Sequence, residues 1–202
     1  MNHTYLFFRE YRAHEDKSYT GTYLLRQSGD IIYQMDCFSK NGIWQRAEMT
    51  DKDGNAVASV RAEYKNLSMQ YIISEQASGS KENEVVNIFK NHKLYNADGK
   101  ALAVIKDPTS LIESTVRTML AGDIEQWVIE LEGSNKVIAD ISINKIKKKF
   151  PWPLSIIEAI FKALLSNKKA LYSITKASND IPLSTLCFLA AYLHSLKGTV
   201  YS

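Results

Sequence analysis

The 202 residues hold two cysteines, four histidines and four prolines, and this scarcity removes several kinds of chemistry at once. Cys37 and Cys187 lie far apart, in no CxxC or Cys/His spacing, which excludes a zinc ribbon, a dithiol redox motif and a disulfide framework. Two reduced, buried thiols in a cytoplasmic protein are the expectation. His3, His14, His92 and His194 stand in no HxxxH or HExxH arrangement, and no GxSxG nucleophile elbow occurs. Of the four, His194 is expected to be a core histidine satisfied by an inward-facing polar group. The Gly/Ser stretch QASGSKENE, 76–84, lacks the strand, lysine and helix of a phosphate-cradling loop. Carboxylate pairs such as Asp51 with Asp53 and Glu82 with Glu84 belong to polar loops. An EF-hand on Gly54 fails because its twelfth position, which needs a bidentate carboxylate, is Val60. The chain reads as a non-enzyme with no metal and no cofactor.

Long apolar runs are missing as well. The N-terminal MNHTYLFFREYRAHED reaches Arg9, Glu10 and Arg12 after a very short apolar stretch, so it lacks the apolar region and cleavage site of a secretory signal. Near the other end, Leu186 to Leu193 is unbroken apolar sequence inside a helix expected from roughly Pro182 to Lys197. About sixteen residues at ~1.5 Å each give ~24 Å, short of the ~30 Å hydrocarbon core of a bilayer. The segment also carries Ser184, Thr185, His194 and Ser195, so a membrane span is a poor fit. Its central turns are nevertheless apolar on every side, and such a helix must be surrounded by protein.

What the chain has in quantity is β-like sequence. Hydrophobic residues make up 45% and charged residues 23%, as in an ordinary globular domain, and one domain over 1–202 is expected. From Tyr5 to roughly Ile146, about eleven short runs rich in Val, Ile, Tyr, Phe and Trp alternate with Gly, Asn, Asp and Ser turns. In AVASVRAEY, Ala58, Val60, Ala62 and Tyr64 fall on one face and Val57, Ser59, Arg61 and Glu63 on the other. DKDGNAVASVRAEY and NADGKALAVIKD share a turn with Asp-Gly at Asp53-Gly54 and Asp98-Gly99, and EGSNKVIADISI is a looser third copy. Each places a residue that tolerates positive φ between two strands. SLIESTVRTMLAGD, 110–123, fits either period. An architecture that encloses one helix on all sides is a closed β-barrel of about twelve strands, mainly β overall.

On the segments DGNAVASVRAEYKNLSMQYIISE, DGKALAVIKD and YSITKASNDIPLSTLCFLAAYLHSL, the chain resembles the tubby C-terminal-like fold. That fold is shared by tubby proteins, phospholipid scramblases and the LURP-one-related family, and the chain is similar to a small bacterial tubby-like protein. The resemblance implies a twelve-stranded barrel around a hydrophobic C-terminal helix. Lipid scrambling is not implied, since no transmembrane segment follows the helix and no cysteine cluster is present. No phosphoinositide-binding residue of the family aligns with a position here.

Charge is uneven. The formal net charge is +3, yet Lys145 to Lys176 holds eight Lys against the single acidic Glu158, a local +7 that leaves −4 for the rest. Within it, KIKKKFPWPLSIIEAIFKALLSNKK joins Lys145, Lys147, Lys148, Lys149, Phe150 and Trp152 to an expected amphipathic helix near 154–166. These six residues are the candidate contact for anionic membrane lipid, lysines on headgroups and aromatic rings at the boundary. Two readings stay open for the helix: a cap over the barrel end, or a membrane contact. Nucleic acid is not expected, because the patch is short, has no arginine and follows no binding motif. The function read from the sequence is a non-catalytic lipid-surface binder, cytoplasmic and peripheral at the inner face of the membrane. The alternative is a soluble interaction or small-ligand-holding module; no protein partner is indicated.

Overall fold

The computed structural model describes residues 3–10, 12–40, 43–65, 67–76, 83–106, 126–143 and 172–198. Twelve antiparallel strands form a closed barrel in sequence order. They are β1 His3–Glu10, β2 Tyr19–Gln27, β3 Asp30–Lys40, β4 Ile43–Thr50, β5 Ala56–Lys65, β6 Ser68–Gln76, β7 Asn83–Lys90, β8 Lys93–Tyr95, β9 Ala101–Lys106, β10 Gln126–Leu131, β11 Val137–Ile143 and β12 Tyr172–Lys176. The seam closes β1 on β12, with Tyr5 opposite Ile174 and Phe7 opposite Tyr172. Closure leaves no free sheet edge and creates a lumen that must be filled.

The filling is α1, Leu183–Gly198. Leu186, Cys187, Phe188, Leu189, Ala190 and Ala191 are consecutive and all fully buried, more than one 3.6-residue turn, so every side of the helix is packed. Strand side chains such as Phe7, Leu25, Met35, Ala47, Ile73, Leu94, Ile129 and Ile141 meet it in one core. The expected helix is confirmed with ends shifted by one residue. Pro182 precedes the helix and its carbonyl accepts the Leu186 N–H at 3.3 Å, while Gly198 is the last helical residue. No described helix is long and apolar enough to cross a membrane. The segment 110–123 and the amphipathic helix near 154–166 lie outside the described residues.

Polar side chains fix the helix along the lumen. Near its N-terminal end the Ser184 hydroxyl donates to Glu75 at 2.5 Å, and the Thr185 hydroxyl donates to Asn87 Oδ1 at 2.8 Å. Asn87 Nδ2 in turn donates to the Tyr95 carbonyl at 3.3 Å. One turn from the other end, His194 Nδ1 lies 3.0 Å from the Tyr23 hydroxyl, the satisfied histidine expected there. An all-round apolar helix has no intrinsic preference for depth or rotation, and these bonds supply one, because a slipped helix would strand buried polar groups.

The repeated turns have the same backbone bonds. Asp51 N–H donates to Asn55 O at 2.9 Å and Gly54 N–H to Asp51 O at 3.1 Å; Asn96 with Lys100 and Gly99 with Asn96 do the same at 2.9 and 3.0 Å. The third copy closes one residue wider, from Leu131 to Lys136. Asp51 serves its own turn, accepting the N–H groups of Asp53 and Asn55, so turn chemistry accounts for it.

Alternation along β5 is kept only in part. Ala58 and Val60 are buried, Ala62 is half-buried, and Tyr64 is 69% exposed. The β5–β6 hairpin, paired out to Lys65 and Ser68, runs past the packed part of the barrel, so parity no longer places a residue in the core.

Cys37 and Cys187 are both buried and unbridged. Burial pushes each thiol well up from its usual pKa, and at Cys37 the nearby Cys187 adds to the effect. Thiolate is the reactive form. Native protein is therefore expected to react with an aromatic disulfide reagent only as fast as it unfolds, and promptly in denaturant; rapid stoichiometric reaction of the native protein would contradict this packing.

Candidate functional site

The six residues singled out for lipid contact, Lys145, Lys147, Lys148, Lys149, Phe150 and Trp152, lie outside the described residues. Their attachment is fixed. The chain leaves the barrel at Ile143 and re-enters at Tyr172, which are partners in the β11–β12 pair. That is the end of the barrel, here the upper end, that also carries the β5–β6 and β7–β8 turns and the C-terminal end of α1, which runs upward from Leu183.

The upper end has an aromatic mouth. Tyr71 of β6, Phe89 of β7 and Phe188 and Tyr192 of α1 pack ring on ring, with Tyr71–Tyr192 centroids 5.3 Å apart, Phe89–Tyr192 5.2 Å and Tyr71–Phe188 5.3 Å. Trp127 of β10 lies 6.3 Å from Tyr192 and 5.9 Å from His92. Above these rings opens a cleft of about 240 Å³, lined by Met69, Tyr71, Phe89, Lys90, Asn91, His92 and Tyr192. Asn91 and His92 form the two-residue β7–β8 loop with φ of 49° and 59°, the left-handed pair required by the tight hairpin turn that suits strand twist. This loop puts Asn91 and His92 at the rim.

The chemistry of the cleft is one-sided. Among the described residues its lining contains no carboxylate and Lys90 makes no ion pair. The phenols of Tyr71 and Tyr192 make no hydrogen bond among the described residues. Burial raises both their pKa values, Tyr71 to about 12 with a contribution from Tyr192, so both remain O–H donors at neutral pH.

The perturbed carboxylates, Asp16 and Asp51, belong to the connections between strands. Asp16 is lowered to about 2, first by the Ser18 hydroxyl and backbone N–H and then by Arg46. It ties the β1–β2 connection to the outer wall, where the Arg46 guanidinium lies 4.0 Å over the Phe38 ring. Among the described residues no three His, Cys, Asp or Glu side chains converge as a metal-ligand set.

Nothing in the sequence points to the cleft. Its walls come from β6, β7, the β7–β8 loop and α1, and each wall residue reads locally as strand, turn or helix core. No family model, curated protein or solved structure matches the chain.

Proposed function

We propose that the chain is a non-catalytic tubby-like domain that docks its upper end on an anionic membrane surface, as a peripheral protein. The observation that carries this reading is the polarity of the barrel axis. The lysine-rich segment is attached at the upper end, where Lys65 and Lys90 make no ion pair among the described residues. At the lower end, Asp30, Asp51, Asp53, Glu75, Asp98, Glu132 and Asp180 outnumber Arg26, Lys52, Lys100, Lys136 and Lys176, whereas among the described residues of the upper end Arg12, Lys17, Lys40, Lys65 and Lys90 outnumber Glu10, Glu15 and Asp16. A negative surface attracts one end and repels the other.

Exposed apolar groups support the same face. Tyr64, Leu67 and Ile43 are all exposed there, Leu67 to 88%. Leu67 also has φ +59°, a left-handed conformation that costs a leucine ~1–2 kcal/mol relative to glycine. An exposed leucine held in a position suited to glycine serves neither the core nor the turn.

The test is co-sedimentation with phosphatidylcholine vesicles containing increasing phosphatidylserine. Each lysine near an anionic surface contributes about 1 kcal/mol, so changing Lys145, Lys147, Lys148 and Lys149 together to Gln is expected to weaken binding by at least ~100-fold at low salt. Binding should also fade as the Debye length shrinks from ~10 Å at 0.1 M to ~3 Å at 1 M salt. A wild-type protein that ignores phosphatidylserine vesicles at low salt, or a quadruple variant that binds them equally well, overturns the proposal.

A further inference from the structure

The cleft at the barrel mouth is built for a ligand of its own. Its walls are the Met69 side chain and three aromatic rings, so its apolar part suits a flat body that can stack or meet ring edges. Its polar lining includes the donors of the two phenols and Lys90, with the Asn91 amide and the His92 ring, each able to donate or accept, at the rim. With these donors, and with a cation unpaired and no carboxylate among the described residues, the lining complements an anion and disfavours a cation. Size narrows the class further. At about 240 Å³ the cleft is below the ~300 Å³ at which drug-sized sites begin, which admits one fused pair of rings and no long chain.

We propose that this cleft binds a small aromatic carboxylate, its ring among Tyr71, Phe89 and Tyr192 and its carboxylate at Lys90 within reach of the phenol hydroxyls. The ligand covers the partly exposed Tyr192 ring beside the buried Tyr71 and Phe89, and its carboxylate satisfies donors that have no partner among the described side chains. The proposal is separate from membrane docking, since Met69, Tyr71, Phe89, Lys90 and Tyr192 all lie outside the lysine-rich segment.

The test is isothermal titration of the full chain, without lipid, using 2-naphthoate as probe and the neutral 2-naphthylmethanol as its uncharged counterpart. Saturable one-to-one binding of naphthoate is expected. A hydrogen bond or ion pair to a charged group corresponds to about tenfold in affinity, so Lys90→Gln should raise the naphthoate Kd about tenfold and leave the alcohol unchanged. Tyr192→Phe, which keeps the ring and removes one donor, should raise it several-fold. Thermal melts of both variants check that the barrel is intact. The proposal is overturned if naphthoate does not saturate, if the alcohol binds as tightly as the carboxylate, or if folded Lys90→Gln binds naphthoate as wild type does. Loss of naphthoate binding when Lys145, Lys147, Lys148 and Lys149 are changed to Gln overturns it too, by placing the anion on that segment. Vesicle binding and naphthoate binding are scored separately, so failure of one leaves the other standing.

Discussion

Leu189→Asp is expected to yield no folded protein. Leu189 sits midway along α1 with no exposure, between Phe188 and Ala190, which are equally buried. A carboxylate there lies in an apolar lumen, and the polar bonds that hold α1 are at Ser184, Thr185 and His194, away from it. Burying an unpaired charge costs several kcal/mol, against a whole-domain stability of ~5–15 kcal/mol. The cost is not avoidable by rotation, because every side of the helix is covered. Leu67→Asp is the matched control: its side chain is exposed at a hairpin tip, and the variant should fold as wild type does. Soluble yield and the cooperativity of a far-ultraviolet melt decide the matter. A cooperatively melting Leu189→Asp protein would mean that the helix is not enclosed.

Phe188→Ala should fold but lose much of its stability. Its ring is the meeting point of the aromatic cluster, with Trp44 at 5.8 Å, Tyr71 at 5.3 Å, Phe89 at 6.0 Å and Tyr192 at 5.9 Å. Removing it takes away the transfer free energy of a phenyl group and leaves a void that rings anchored on three strands and the helix cannot collapse into. Phe→Ala in such a site costs about 3–5 kcal/mol. For a chain of this size that corresponds to a fall in Tm of roughly 10–15 °C. Denaturant unfolding measures the loss directly. A loss under ~1 kcal/mol would show that the cluster repacks and that the cleft above it has soft walls.

How much of this was legible in the sequence depends on the range of the interaction. Period-two alternation and turn chemistry are local, so AVASVRAEY and ALAVIK read correctly as strands and the Asp-Gly pairs as hairpin turns. The buried helix was legible because a segment apolar on all sides has only one soluble solution, enclosure, and a β meander has one way to provide it. The exposure of Tyr64 was not legible, since alternation assigns a face but says nothing of how far a hairpin projects beyond the core. Longer-range pairs left no trace. Thr185 with Asn87 and Ser184 with Glu75 join residues about a hundred positions apart, and a single threonine or serine carries no sign of its partner. The cleft is of the same kind, assembled from Tyr71, Phe89, Lys90 and Tyr192 by closure of the barrel.

The seam between β1 and β12 sets the order in which the protein can be made. A ribosome delivers β1 first and α1 after all twelve strands, so the first strand must wait for its last neighbour, and the lumen for its contents. Hairpins between successive strands can form during translation, but they build only an open, greasy-faced ribbon with two unsatisfied edges. Contacts across the seam span nearly the whole sequence, and pairings this distant form slowly. The nascent chain therefore passes through a half-wrapped stage in which the future interior is accessible to holdase chaperones and to other copies, and its commitment to the native state comes with the emergence of the helix.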